Sequence, residues 1–433
     1  MSSAPTAAPK PYGIGAALAI GLGSIIGGSM FATMGEALQG AGSAAPLAYF
    51  LGALPAYFTA FSYTRMAAAH PASGGTMTFF NLAYGGGYLS AALNLMLVVC
   101  YAAVASLYSG VFGSYVADLF HCHGPTAQRL LSCLGIAVVA WANLSHSAWG
   151  ERAQSPLNAC KFLIMGFFII IALFSPLWDW HNFSPAHWAR PGSIIVTALT
   201  IFMSYQGFEL IAALRRPLPG RALPIAMALC LLIVTLYYCG VSFCTVGNVD
   251  YATAPQQADY LLSSVARRIL GEPGGVLLCL GAVIASASAM NADVFSASDI
   301  PEEMAEQHEM PRYFLPSQHE SKPLGVLFLC GLLILFVNLL SVDELTAVSS
   351  LGFLAIYMLA NFAALRITPR TRVATLLSAA GGIVCLASAV TVAWHLFTGT
   401  DSARLIPVAL GMLGLPFIWQ AAYYLLRRGR TPT

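Results

Sequence analysis

Gly23-Ser24-Ile25-Ile26-Gly27-Gly28-Ser29 places three glycines and two serines in the middle of an apolar run from Ile14 to Met34. A run of about 20 apolar residues can cross the hydrocarbon core of a bilayer as a helix. Glycine costs a helix conformational entropy and frees the backbone to leave it. The stretch therefore reads as a membrane helix interrupted half-way. Ser204-Tyr205-Gln206-Gly207 interrupts a second run, from Ile194 to Leu214, in a comparable way.

The rest of the chain fits this reading. Apolar residues make up 58% and charged residues 9%, against about 25% charged in soluble proteins. Twelve apolar runs follow one another, near 13–38, 44–68, 87–119, 128–147, 155–176, 192–214, 223–248, 273–299, 323–341, 345–366, 373–397 and 404–426. None shows the alternating pattern of a membrane barrel, so helices must satisfy the backbone in lipid. The fold class is an all-α polytopic membrane protein with 12 transmembrane helices. With the N-terminus inside, fourteen Lys and Arg residues fall on the cytoplasmic side. Five fall outside: Arg129, Arg190, Arg267, Arg268 and Arg404. That bias predicts both termini in the cytoplasm of a multi-pass cell (inner) membrane protein. The N-terminal segment has no cleavage-site pattern and reads as a tail, not a signal peptide.

Spans one to five and six to ten read as equivalent units, with spans eleven and twelve appended. An odd number of spans per unit inserts the second unit upside down, giving a 5+5 inverted repeat plus two. The expected organisation is a cytoplasmic tail over 1–12, a transport core over 13–366, two further helices over 367–426 and a cytoplasmic tail over 427–433. Two links look structured. One begins His70-Pro71-Ala72-Ser73-Gly74-Gly75 and continues into apolar Phe79 to Tyr84, as an interfacial or re-entrant piece. The other, Asp250 to Glu272, is long enough for a short outer helix. The acidic residues Glu302, Glu303, Glu306 and Glu309 read as a solvated inner face.

Interrupted spans at corresponding places in two halves point to a transporter's substrate site, so these features imply movement of a small solute. Backbone N–H groups at a half-helix start suit a carboxylate. Those around Gly27, Gly28 and Ser29 are candidates, with glycines 23, 27 and 28 permitting the backbone angles. Carbonyls near Ser24, Ile25, Phe202 and Ser204, beside Gly207, would take an amine. Tyr101, Tyr205 and Phe208 would line the side-chain pocket. A packing notch at Gly23 and Gly27 is the alternative. A nucleotide loop over Gly21 to Gly27 fails, because no strand precedes it.

Lys161 is the one basic residue well inside a span, about eight residues in and so roughly 12 Å deep. Charged residues at such depth tend to be functional. Burial disfavours the charged form of an amine, which makes a proton gradient able to switch it. Snorkelling to the interface is the alternative. Glu209 and Asp293 are candidate gating acids, and Glu36 and Asp299 are weaker ones. Nine of the ten cysteines lie in apolar runs as small hydrophobes. His121-Cys122-His123 is too tightly spaced for a usual metal site. No metal, cofactor or nucleic acid is expected.

Gly23 to Phe31 resembles the Gly-x-Ile-x-Gly-x-Gly-x-Phe region of the amino acid–polyamine–organocation (APC) superfamily, with serine in place of the last glycine. Phe202-Met203-Ser204-Tyr205-Gln206-Gly207-Phe208-Glu209 resembles its sixth-helix break, and Ser288-Ala289-Met290-Asn291-Ala292 its eighth helix. The likeness is greatest to the ApcT-type proton-coupled permeases, whose fifth-helix lysine corresponds to Lys161. The resemblance implies a LeuT-like fold with Lys161 facing the Gly23 carbonyl and the Ser288 hydroxyl. Leu214-Arg215-Arg216-Pro217-Leu218-Pro219 and Pro301-Glu302-Glu303 depart from the family pattern at the inner gate.

The expected function is proton-coupled uptake of amino acids, neutral ones favoured, with substrate, protons and lipid as the partners. Amino acid or amine exchange on the same fold is the alternative. A ligand-binding sensor without flux is a third reading. Sodium coupling is disfavoured because Lys161 would compete with the ion. An enzyme is not expected, since His-Glu-x-x-His, the nucleophile elbow and the Walker loop are all missing.

Overall fold

The computed structural model describes residues 13–70, 75–122, 124–145, 149–212, 221–315, 323–399 and 402–428. Among these residues the chain is helical, and its only β-pairing is a single bridge between Gly42 and Trp188. The expected N-terminal tail, residues 429–433 of the C-terminal one, residues 71–74, His123 and the 213–220 link fall outside the described residues.

Span one is two helices, α1 (Ile14–Ile25) and α2 (Ser29–Ala41), bent by 53° at the break. Span two is α3 (Ala45–Ala69), followed by a short α4 (Gly75–Tyr84). Spans three to five are α5 (Tyr88–Leu119), α6 (Pro125–Leu144) and α7 (Trp149–Leu173). Span six comprises α8 (Pro191–Thr200), a 3-10 segment over Ile201–Tyr205 and a short α9 (Glu209–Ala212). Span seven is α10 (Ala222–Asn248), then α11 (Leu261–Leu270) outside the bundle. Spans eight to twelve are α12 (Glu272–Ala297), α14 (Pro323–Leu339), α15 (Val342–Ile367), α16 (Arg372–Thr398) and α17 (Ser402–Arg428), with α13 (Asp299–Glu306) following span eight. Eight helices are long and apolar enough to cross alone, and the bent pair makes a ninth. Shorter apolar stretches in α7 and α14, together with the less apolar α3, complete the twelve runs read from the sequence.

The packing map is symmetric under exchange of the two five-span units. Span one packs on span seven as span six packs on span two. Span five packs on span eight as span ten packs on span three. Span four touches spans three and eight as span nine touches spans eight and three. The short helices obey the same rule. The first, α4, lies against spans three and ten and α9, while α11 lies against spans eight and five and α2. The re-entrant piece and the outer helix expected from the sequence are therefore one element used twice, once on each side.

Span three is the central post, with 89% of its apolar window buried, whereas spans four, eleven and twelve keep 28% or less buried and face lipid. Its small residues Ala102, Ala103, Ala105 and Ser106 let neighbours approach closely. Pro55 lies inside the continuous helix α3, and the Thr59 hydroxyl donates to the Pro55 carbonyl at 2.8 Å. Arg267 of α11 pairs with buried Asp118 of α5 at 3.1 Å, tying that short helix to the post.

Candidate functional site

The first break occupies Ile26 to Gly28. Ile26 leaves the helix at ψ 69°, while Gly28 already has helical angles, φ −72° and ψ −10°. Neither Gly27 nor Gly28 adopts a positive φ. Their glycine character answers to packing instead. A Cβ on Gly27 would stand 2.5 Å from the Ala289 Cβ, and one on Gly28 would stand 3.0 Å from the Ser286 Cα. A Cβ on Gly23 would collide with the Asn158 amide. The glycines bring the break onto spans five and eight, so the notch and the break are the same feature. The Gly27 N–H donates to the Ile25 carbonyl at 2.8 Å. The first N–H groups of α2, from Ser29 onward, have no acceptor within their own helix, as at any helix start.

The second break brings backbone against backbone. Gly207 has φ +114°, a left-handed conformation that glycine adopts without strain. A Cβ there would stand 3.2 Å from the carbonyl carbon of Ser24, so the two breaks touch at this point. Tyr238 of span seven stitches them together. Its hydroxyl lies 2.9 Å from the Ile25 carbonyl, 3.1 Å from the Ser204 carbonyl and 2.9 Å from the Ser29 hydroxyl. Two of the carbonyls expected to hold an amine thus share this phenol. Thr33 bridges the Tyr49 hydroxyl at 2.8 Å and the Ser204 hydroxyl at 3.0 Å.

The expected pocket residues divide. Tyr101 and Phe208 converge with Tyr357 and Phe353 into one aromatic cluster. Phe202 packs edge-on against Tyr357 at 5.8 Å. Tyr205 turns away, its hydroxyl donating to the Tyr49 carbonyl of span two at 2.7 Å. At the α2 end of the site Phe31 packs edge-on against Tyr115 at 5.5 Å. All of these rings are buried, while Ser24 is only half-buried.

Glu209 is the hub of the inner half. Its Oε1 accepts from the Tyr101 hydroxyl and the Gln206 amide, both at 3.2 Å. Its Oε2 accepts from the Gly207 N–H at 2.9 Å and the Tyr357 hydroxyl at 2.7 Å. An ionised carboxylate has about four acceptor sites, and here four donors from spans three, six and ten meet them. That set offsets the cost of a buried charge. Asp293 is buried at 5% exposure, and its Oδ2 has no partner. At the outer end, Glu36 lies beside Thr200, Thr346 and Asp343.

Lys161 is 1% exposed, and its ammonium donates to the Gly23 carbonyl at 2.8 Å. Snorkelling is ruled out by that burial. The Ser288 hydroxyl is buried without a partner. Sequence reasoning did not single out Tyr238, Tyr357, Thr33 or Asn158. The available signal was a tyrosine inside an apolar span, whose hydroxyl needs a buried partner. Four or more such tyrosines lie in these spans, and only their convergence distinguishes two of them.

Comparison with known proteins agrees with this architecture. A family model described as "Amino acid permease" matches residues 13–423. The chain is 26% identical to the inner membrane transport protein YbaT of Escherichia coli (strain K12), covering 83% of this chain and 84% of YbaT. It is 23% identical to the serine/threonine exchanger SteT of Bacillus subtilis (strain 168), covering 94% and 95%. It is also similar to the branched-chain amino acid permease BcaP of Bacillus subtilis (strain 168), at 22% identity over 79% of this chain and 78% of BcaP. A chain of twelve membrane helices with two broken spans at its centre, matched by that model along nearly its whole length, belongs to the amino acid permease family of the APC superfamily.

Proposed function

We propose that this permease couples the uptake of amino acids, neutral ones favoured, to protons by alternating access. The observation that carries the reading is the 2.8 Å contact between the Lys161 ammonium and the Gly23 carbonyl. A charged donor at this carbonyl pins the inner half of span one to span five. A hydrogen bond to a charged group is worth about 1.5–3 kcal/mol, enough to bias two arrangements about 10- to 150-fold. Loss of the proton weakens the donor and frees α1 to move.

In this reading the substrate carboxylate meets the N–H groups around Gly27, Gly28 and Ser29. Its amine competes with Tyr238 for the Ile25 and Ser204 carbonyls, close to Ser24, Phe202 and Gly207. Tyr101 and Phe208 contact the side chain, and Tyr205 supports the break from behind. Ser288 offers a second acceptor to Lys161. Glu209 acts at the inner gate, because α9 cannot separate from spans three and ten while its four hydrogen bonds hold. The aromatic lining supports neutral substrates.

The reading divides the chain into a transport core over 13–366, two accessory helices over 367–426 and cytoplasmic tails at 1–12 and 427–433. It puts the protein in the cell (inner) membrane, in keeping with the likeness to the inner membrane transport protein YbaT, and takes both termini as inside from the charge bias alone. Amino acid or amine exchange is the second reading, favoured by the likeness to the exchanger SteT.

Uptake of a labelled amino acid panel into proteoliposomes under an inward proton gradient tests the proposal. Uptake should collapse without the gradient, and Lys161→Ala should lose the gradient dependence. Gradient-independent uptake that requires internal substrate would replace the proposal with exchange.

A further inference from the structure

Asp293 lies in the inner half of span eight, five residues past Ser288 and so about 7.5 Å further along the helix. Its side chain is buried, its Oδ2 has no partner, and no ion pair reaches it among the described residues. Such an oxygen is costly if charged, because neither water nor a donor compensates it. Glu209 sharpens the problem. It stands within electrostatic reach of Asp293, and its own oxygens are met by four donors and no cation. Two carboxylates in one dry region do not both stay ionised. Glu209 has four donors and Asp293 Oδ2 has none, so the neutral member is Asp293.

The other groups near Asp293 do not alter that assignment. From span three, the Tyr101 hydroxyl donates a hydrogen bond to Glu209, and the Tyr108 hydroxyl is buried without a partner. From span five, Lys161 donates to Gly23. Cys133 of span four and Cys330 of span nine are free cysteines, and Asp299 lies in α13, beyond the end of span eight. Asp118, Arg267 and Cys279 form a separate set at the outer end.

We propose that Asp293 is a second proton-binding site of the carrier, distinct from Lys161. Its carboxyl takes a proton from water while the outer side is open and holds it on the unpartnered oxygen in the closed arrangement. It gives that proton up when the inner halves of spans one and six part and water reaches span eight. The inference rests on the proton-coupled reading and adds one proton to each transport cycle, giving two protons per amino acid. No other group changes its bonding in the step, since one O–H bond forms on loading and breaks on release.

The test is the proton-to-substrate ratio of the full-length protein in proteoliposomes, from the steady accumulation of a transported amino acid at zero membrane potential. Each coupled proton multiplies the accumulation about tenfold per pH unit of gradient. The wild-type protein should reach about 100-fold per unit. Asp293→Asn, which keeps the shape and removes the titration, should reach about 10-fold while binding substrate as tightly. Asp293→Glu should restore the higher value. A wild-type ratio of one overturns the second site and leaves Lys161 coupling intact, and it decides the question even if the variants fail to fold. An Asp293→Asn protein with an unchanged ratio, or with substrate binding abolished, also overturns it, the latter in favour of a carboxylate that grips a cationic substrate. Uptake independent of the gradient defeats the proton-coupled reading itself.

Discussion

One methyl group at Gly27 would bring its carbon to 2.5 Å from the Ala289 Cβ, well inside van der Waals contact. Overpacking of this kind costs about 1–3 kcal/mol, and here it pushes the break off span eight, where the proposed site lies. Gly27→Ala should therefore abolish or strongly reduce uptake while lowering thermal stability in detergent only modestly. Gly15→Ala, at a position with open space around it, should leave both unchanged, and proteoliposome uptake with a thermal melt reads the pair. Neutral behaviour of Gly27→Ala would show that span eight yields readily. Tyr238 is informative at the same scale. Its one proton can serve either the Ile25 or the Ser204 carbonyl, so a substrate amine has an acceptor to claim without a buried side-chain charge.

Among the elements, α4 and α11 are equivalent short helices on opposite sides, each lying on one half of a broken span. The short helix α11 is anchored by Arg267 to Asp118, and α4 carries Asn81, whose amide donates to Gln307 of the link after α13 at 2.9 Å. That link is itself clamped to span twelve. Gln420 donates to the Glu309 carbonyl, Tyr423 to the Met310 carbonyl and Arg427 to the His308 carbonyl. The Glu309 side chain is buried in the clamp with one unpartnered oxygen, and burial pushes its carboxyl up from 4.5 to about 7. The folded form therefore holds its proton more tightly than the unfolded form. The stabilisation is complete below 4.5 and is lost as pH rises through about 7. Thermal midpoints in detergent should fall over this interval for the wild-type protein and fall less for Glu309→Gln. Parallel pH profiles for the two proteins would exclude this role.

At the scale of the whole molecule, symmetric packing of the two units supports the proposed alternating access, in which opposite sides open in turn. The contacts that close one side have counterparts that close the other, so one arrangement can be exchanged for its mirror by moving the same elements. The proposed orientation rests on the charge bias, fourteen basic residues against five. A fluorescent protein fused after Thr433 should light up in the cytoplasm, and alkaline phosphatase at the same place should stay inactive. Active phosphatase there would reverse the orientation and, with it, the direction assigned to proton release from Asp293.

The twelve spans, both breaks and the positions of the two short helices were legible in the sequence. Each depends on local quantities: run length, glycine clusters and the periodicity of apolar residues. Lys161 was legible for the same reason, since one charge in a long apolar run stands out wherever the helix goes. The sequence could not say that Gly27 and Gly28 answer to span eight, that Tyr205 faces span two, or that Tyr238 and Tyr357 belong at the centre. Those facts depend on residues more than a hundred positions apart meeting in space. By itself the sequence determined an all-helical membrane chain with two interrupted spans, because the bilayer imposes length and polarity on each segment separately. Only the tertiary structure decided which hydroxyls meet which carbonyls, and that Glu209 has four donors while Asp293 Oδ2 has none. Hydrogen bonds are short and directional, so the partner is set by how the spans pack.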